Sequence, residues 1–250
     1  MSADGLTVEV SRLTKRFGAV TAVQELSFSV RPGVVTGFLG PNGAGKTTTI
    51  RAILDLVTPT SGGTTIGGRR YRDLPRPSAT VGALLAASAF HPGHTARAHL
   101  RTYAAMGGYP DRRVEELLQL LGLAEVADRR TGGFSTGMRQ RLGLATALLG
   151  DPGVLLLDEP GNGLDPEGTA WLRGFLRGLA REGRTVLVSS HQLSEVEQLV
   201  DDVVLIQRGR KVTAGPLAEL VGEHRNLEQL FLRLTAAAGP SLSTAGEGIS

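Results

Sequence analysis

Residues 34–39 (VVTGFL) form a solid apolar run, and they deliver a glycine-rich loop, GPNGAGKTT at residues 40–48, to the start of a helical segment at residues 49–57. A strand apolar on both faces belongs inside a sheet covered on both sides. The loop fits the pattern G-x-x-x-x-G-K-[ST] over residues 40–47. Each part has a chemical reason. Glycines let successive backbone N–H groups turn inward on an anion. The helix that follows adds its positive end. Lys46 places a charge on the β and γ phosphates of a nucleotide, and the Thr47 hydroxyl is a ligand for Mg²⁺. Gly40, Pro41, Asn42, Gly43, Ala44, Gly45, Lys46, Thr47 and Thr48 are therefore the candidate phosphate-binding residues.

The rest of the chain alternates short buried strands with helices. Residues 6–10 and 26–30 alternate apolar with polar and read as half-buried strands. Residues 154–157 (VLLL), 185–189 and 203–206 read as buried strands, and a further strand lies near Val81. Helical spacing marks residues 111–123, 136–149 and 171–181. The expectation is an α/β fold with a mostly parallel central sheet. No internal repeat is visible. From Ala236 the chain is small residues, Gly, Ser and Pro, which predicts a disordered tail over residues 236–250. A chain of 250 residues with 41% hydrophobic and 20% charged residues is long enough to bury a core, as one large or two small domains.

The strand at residues 154–157 ends in Asp158-Glu159, two carboxylates delivered to the carboxyl edge of the sheet, where open α/β folds bind ligands. Asp158 is placed to hold Mg²⁺, and Glu159 to accept a proton from an attacking water.

Four further segments complete a pattern: GGFSTGMRQRL at 132–142, LLLDEP at 155–160, GLDP at 163–166 and SSH at 189–191. With the phosphate loop, their order and spacing resemble the ATP-binding cassette family of transporter ATPases, over residues 5–235. The resemblance implies a phosphate-loop nucleoside triphosphatase core with an N-terminal antiparallel β part and a helical subdomain. As one domain over residues 1–235, it would divide into a core (1–82 and 151–215), a helical subdomain (83–150) and C-terminal helices (216–235). It implies that Phe17 stacks on adenine, and that Ser135 and Gly137 contact the γ-phosphate of ATP held by a second copy. It implies that Asp165 crosses the dimer interface, and that His191 contacts the γ-phosphate and orders the catalytic water beside Glu159. ATP and Mg²⁺ are the implied ligands. The implied partners are a second copy packed head to tail and a separate transmembrane permease subunit, which residues 84–100 would face. The segment at 227–235 resembles the C-terminal end of ATPases serving drug, antibiotic or polysaccharide exporters. The implied location is cytoplasmic, peripheral on the inner face of the cell membrane.

Two departures stand out. The signature loop reads FSTGM rather than the commoner LSGGQ, with Ser135 and Gly137 kept. Ala86 stands where the family has a Gln or an acid that touches Mg²⁺. Either water completes the coordination, or hydrolysis is slow, or the register of that loop differs. A nucleotide-binding regulatory cassette with weak hydrolysis is the alternative reading; Ala86 favours it, and Glu159 and His191 oppose it. His91, His94 and His99 suggest a metal site less well than a surface loop, because Pro92-Gly93 keeps His91 and His94 off one helix face. With no cysteine, disulfides, thiolate metal sites and a catalytic thiol are excluded. The net charge of +3 is spread along the chain, so no nucleic-acid partner is expected.

Overall fold

The structure, a computed structural model, describes residues 5–85, 90–222 and 226–237. In chain order the elements are β1 (Val8–Phe17), β2 (Val20–Val30), β3 (Val35–Leu39), α1 (Lys46–Ile53), β4 (Ser61–Ile66), α2 (Pro77–Thr80), β5 (Val81–Leu84), α3 (Ala96–Gly107), α4 (Asp111–Leu120), α5 (Thr136–Ala147), β6 (Val154–Asp158), α6 (Pro166–Arg181), β7 (Thr185–Ser190), α7 (Leu193–Glu197), β8 (Asp202–Gln207), β9 (Arg210–Pro216), α8 (Leu217–Val221) and α9 (Leu227–Ala237).

The six-stranded sheet runs β5-β6-β7-β3-β8-β9, parallel except for β9. A second, antiparallel sheet runs β2-β1-β4. Successive side chains of a strand point to opposite faces, and the apolar strands of the main sheet feed two cores. Leu39, Leu155, Leu157, Val186, Val188, Val203 and Leu205 pack with residues of α3 to α6. Phe38, Leu156, Leu187, Val204 and Ile206 pack with the antiparallel sheet and α1. This is why the sequence of these strands is apolar throughout rather than alternating. Parallel register also lines up the carboxyl ends of β3, β6 and β7: Leu39 pairs with Ser190, and Asp158 with Ser189. The loops leaving those three strands therefore open at one edge.

Several boundaries differ from expectation for local reasons. β1 runs well past Val10 because Arg12, at φ 45°, sits in a bulge that breaks the two-residue period. β2 likewise starts at Val20, before a second positive-φ residue, Glu25. Helix α1 begins at Lys46 and α6 at Pro166, each upstream of its first large apolar residue. Proline at the first helical position, after the Asp165 cap, is what starts α6. The segment expected as a loop facing a partner holds a capped helix, α3; Thr95 accepts from the Ala98 N–H, and the buried stripe is Ala96, His99, Leu100 and Ala104, too small a set to read as periodic. β4, β9, α7 and α8 are too short or too rich in glycine to announce themselves. β5 continues to Leu84, past the expected core boundary at residue 82, and α9 continues to Ala237, into the expected tail. Residues 238–250 and Ala86 lie outside the described residues.

The three histidines part company. The His91 and His94 rings lie 4.6 Å apart in a turn, tilted by 39° to each other. His99 is buried, 3.1 Å through Nε2 from the Thr146 hydroxyl, between the rings of Phe90 and Tyr103. Among the described residues no group of three metal-capable side chains converges. Burial, with a smaller contribution from His94, pushes the His99 imidazole down to about 4. Between that value and the free value of about 6.5 the unfolded chain binds a proton that the folded chain does not, so stability falls as pH falls across this window. The loss of melting temperature between about pH 7 and about pH 5 is expected to be smaller in His99→Gln than in the parent, because Gln takes up no proton when unfolded. Equal losses would contradict the buried neutral imidazole.

Candidate functional site

The phosphate loop leaves β3 at Gly40, where a Cβ would lie 2.3 Å from the Ile206 carbonyl oxygen. It closes at Gly45, at φ 102° beside the Ala22 carbonyl. Only glycine satisfies both the close approach and the left-handed backbone. The loop borders an opening of about 230 Å³ lined by Asn42, Gly43, Gly45, Lys46, Thr47 and Glu159 among others. Lys46 is 6% exposed, and its Nζ donates to the Gly40 carbonyl at 2.7 Å and the Pro41 carbonyl at 3.3 Å. The side chain is thus bent back over its own loop, with its charge at the anion's place.

At the adjoining strand end, Thr47 donates to Asp158 Oδ2 at 2.7 Å. Ser189, the last apart from Ser190 in β7, donates to Asp158 Oδ1 at 2.5 Å and accepts the Glu159 N–H at 3.0 Å. The sequence places Ser189 in the SSH segment without a role of its own; its signal is a hydroxyl at the carboxyl end of a fully buried strand. Glu159 has φ 52°, uncommon for a residue with a side chain. That turn swings its carboxylate out of line with β6, so that Oε1 lies 3.3 Å from Lys46 Nζ and Oε2 2.9 Å from His191 Nδ1. Gln140 of α5, within the 132–142 segment but given no role there, reaches the Glu159 and Asn162 carbonyls through Nε2 at 3.5 and 3.4 Å. Its buried Oε1 has no hydrogen-bond partner among the described residues.

The structure therefore brings Lys46, Thr47, Asp158, Glu159 and His191 together. Phe17 stands apart at the tip between β1 and β2, 51% exposed, with Lys15 Nζ 4.7 Å from its ring centroid. Ser135, Gly137 and Asp165 do not line the phosphate-loop opening. They form a second cluster, in which Ser135 and Asp165 are exposed and Gly137 is half-buried. Ser135 caps α5 by accepting the Met138 N–H at 3.3 Å, and Asp165 caps α6 by accepting the Gly168 N–H at 2.7 Å. A Cβ on Gly163 would lie 3.0 Å from Thr136, and one on Gly137 3.7 Å from Leu164, so the two loops pack against each other. The Arg141 guanidinium, 4.2 Å from the Trp171 ring centroid, ties α5 to α6 behind them.

Five parallel strands around a phosphate loop, with a hydroxyl, two carboxylates and a histidine at one sheet edge, define a nucleoside triphosphate-binding α/β protein. Residues 23–162 match the family model described as ABC transporter. The chain is 40% identical over 231 residues to the bacitracin transport ATP-binding protein BcrA of Bacillus licheniformis, covering 91% of this chain and 75% of that protein. It is 39% identical over 223 residues to the Nod factor export ATP-binding protein I of Ralstonia nicotianae, covering 86% and 68%. A solved structure described as the ATP-binding subunit of an ABC transporter superposes with a TM-score of 0.81 at 28% identity, covering 91% of this chain and 99% of that one. The chain belongs to the ABC transporter family, as an ATP-binding subunit that hydrolyses ATP.

Proposed function

We propose that the chain powers export of a substrate through a separate membrane component, hydrolysing ATP at two sites shared between two copies packed head to tail. The observation that carries the hydrolytic part is the contact chain Lys46–Glu159–His191, at 3.3 and 2.9 Å, at the mouth of the phosphate loop. Backbone N–H groups of residues 40–48 and the Lys46 ammonium bind the phosphates. In the structure the Glu159 carboxylate lies on the Lys46 ammonium, in the place an anion would take. Binding a γ-phosphate there frees Glu159 to face the attacking water and take its proton. His191, hydrogen-bonded to the same carboxylate, holds it in line and offers its ring to the phosphoryl oxygens. The Ser189 hydroxyl fixes the backbone of Glu159 and the side chain of Asp158 together.

Mg²⁺ fits this donor set. Thr47 and Asp158 present hard oxygens 2.7 Å apart, the ligand type that this ion selects. When bound, the ion would neutralise charge on the β and γ phosphates. Phe17 supplies a flat, half-exposed ring for adenine. Phe17→Ala is expected to raise KM for ATP by about tenfold, since base–aromatic stacking contributes about 1–3 kcal/mol, with kcat little changed. An unaltered KM would place adenine elsewhere.

Two features support the shared site. Ser135 is exposed and Gly137 half-buried, neither lines its own phosphate opening, and both are packed to the Asp165 loop and α6 through the Thr136–Gly163 and Arg141–Trp171 approaches. A two-fold axis that sets this cluster over the other copy's loop completes both sites at once. No helix among the described residues is long and apolar enough to cross a membrane. The relatives' names, bacitracin transport and Nod factor export, support the export reading. The docking surface for the membrane component is the apolar groove between β5, α3 and α5, which meets the expected partner-facing segment at Leu84, Leu85, Phe90 and His99. The weak-hydrolysis alternative rests on Ala86, outside the described residues, whereas the paired Glu159 and His191 favour turnover.

Mixing two inactive variants tests the shared site. Lys46→Ala spoils the phosphate loop of one copy, and Ser135→Arg the signature loop of the other. Random pairing leaves one intact composite site in half of the dimers, so the mixture should recover about a quarter of parental ATPase activity. No recovery, with parental dimer formation, would overturn the head-to-tail arrangement.

A further inference from the structure

A further opening, of about 330 Å³, lies at the edge of the main sheet opposite the nucleotide. The phosphate loop leaves the carboxyl end of β3. This opening sits at the amino ends of β3 and β8, where β2, an outer strand of the antiparallel sheet, passes β9, an outer strand of the main one. Its apolar walls are Phe28, Val204, Ala214 and Pro216, and the Phe28 ring is held by stacking on Phe38, with centroids 5.1 Å apart. Thr36 lines it too, 1% exposed and on the strand face that Phe38 shares. The Thr36 hydroxyl has no hydrogen-bond partner among the described residues. A buried hydroxyl left unpaired costs stability, so a polar group brought to it from outside is favoured. Three charged side chains line the opening. Arg31 and Asp202 neutralise each other through Nε and Nη2 bonds of 2.7–3.1 Å, and Glu219 adds to the acid field on Arg31. Lys211 is exposed and has no ion-pair partner among the described residues.

We propose that this opening is a second ligand site, separate from the nucleotide's, for a small organic anion: a carboxylate drawn to Lys211, an apolar body the size of a ring against Phe28, Val204 and Pro216, and a hydroxyl at its far end bonded to Thr36. Small-molecule sites take this form, a concave apolar wall with a few placed polar groups, in volumes of about 300–1,000 Å³. A nucleotide does not suit it. One free ammonium cannot match a triphosphate, and Asp202 holds the Arg31 fork that would bind phosphate. A bare inorganic anion would leave the apolar walls and the Thr36 hydroxyl unmet.

The test titrates the purified full chain, without nucleotide, with 4-hydroxyphenylacetate, 4-hydroxybenzoate and their counterparts lacking the hydroxyl, phenylacetate and benzoate. Binding is read from backbone and methyl NMR shifts. Saturable binding in the millimolar range is expected of ligands of about ten non-hydrogen atoms, with shifts centred on Phe28, Thr36, Val204 and Ala214. A hydroxylated probe should bind about threefold or more tighter than its counterpart, and Thr36→Val should erase that preference, because it removes one neutral hydrogen bond and little volume. Lys211→Glu should weaken every probe about tenfold, since it turns an attraction into a repulsion. It should leave the Kd for Mg²⁺ and ATP unchanged, which shows that the variant is folded, and it keeps the test decisive where Thr36→Val does not fold. No saturable binding of any of the four probes, shifts centred on the phosphate loop, or affinities unchanged in Lys211→Glu would overturn the proposal. Equal affinity of hydroxylated and plain probes for the parent would overturn it too, as would benzylamine, a cation of similar size, binding as tightly as the carboxylates.

Discussion

Replacing Glu159 with Gln is expected to lower ATP hydrolysis by about a thousandfold, within the range of about 10²–10⁴ typical of a general base, while nucleotide binding persists. The substitution keeps the size of the side chain and the hydrogen-bonding reach of one oxygen toward His191 or Lys46, but removes the proton acceptor. It also leaves the backbone at φ 52° untouched, and the contacts of Glu159 N–H with Ser189 and of its carbonyl with Gln140 do not depend on the side chain. The loss should therefore fall on the chemical step. A second consequence separates this role from a structural one. If ATP joins two copies and its cleavage releases them, a variant that binds without cleaving should accumulate as an ATP-dependent dimer on size-exclusion chromatography. Single-turnover hydrolysis near the parental rate, or a variant that stays monomeric with Mg²⁺ and ATP, would remove Glu159 from the base role.

What the sequence discloses and what it hides divide along physical lines. The strands read at 34–39, 154–157 and 185–189 are legible because burial on both faces makes their residues mostly apolar. The phosphate loop was legible because its glycines answer to backbone geometry, and its Lys and Thr to phosphate and metal. The edges of the fold were not. β4 and β9 are held by pairing with β1 and β8 rather than by their own composition, and the bulge at Arg12 erases the period that would have carried β1 to Phe17. Within the site, Asp158, Glu159 and His191 stand in recognisable strings, but Ser189 and Gln140 act through contacts between segments distant in sequence. Gln140 reaches the Glu159 carbonyl from a helix that reads as ordinary core. Such partners follow from the register of β6 on β7 and the docking of α5, which no local pattern encodes.

Lys46→Ala is expected to weaken ATP binding by about a hundredfold or more, since charge-assisted hydrogen bonds to phosphate contribute about 1.5–3 kcal/mol each and, among the described residues, this ammonium is the only cation lining the opening. The free chain has its own stake in the residue. With Nζ gone, the Gly40 and Pro41 carbonyls lose their donor, and Glu159 faces the site beside His191 without its cation. The loop then holds its anion-binding shape less firmly, so part of the loss comes from preorganisation. Lys46→Met separates the ammonium from the packed stem, because it keeps the stem of a side chain that is 6% exposed and removes Nζ with its charge and hydrogen bonds. Both variants should lose the rise in melting temperature that Mg²⁺ and ATP give the parent, which follows from binding to the folded state alone. In the absence of nucleotide both should melt below the parent, and the alanine variant, which also loses the packed stem, further below it than the methionine variant. A Met variant that is stabilised by nucleotide as strongly as the parent would show that the charge on Lys46 does not hold the phosphates.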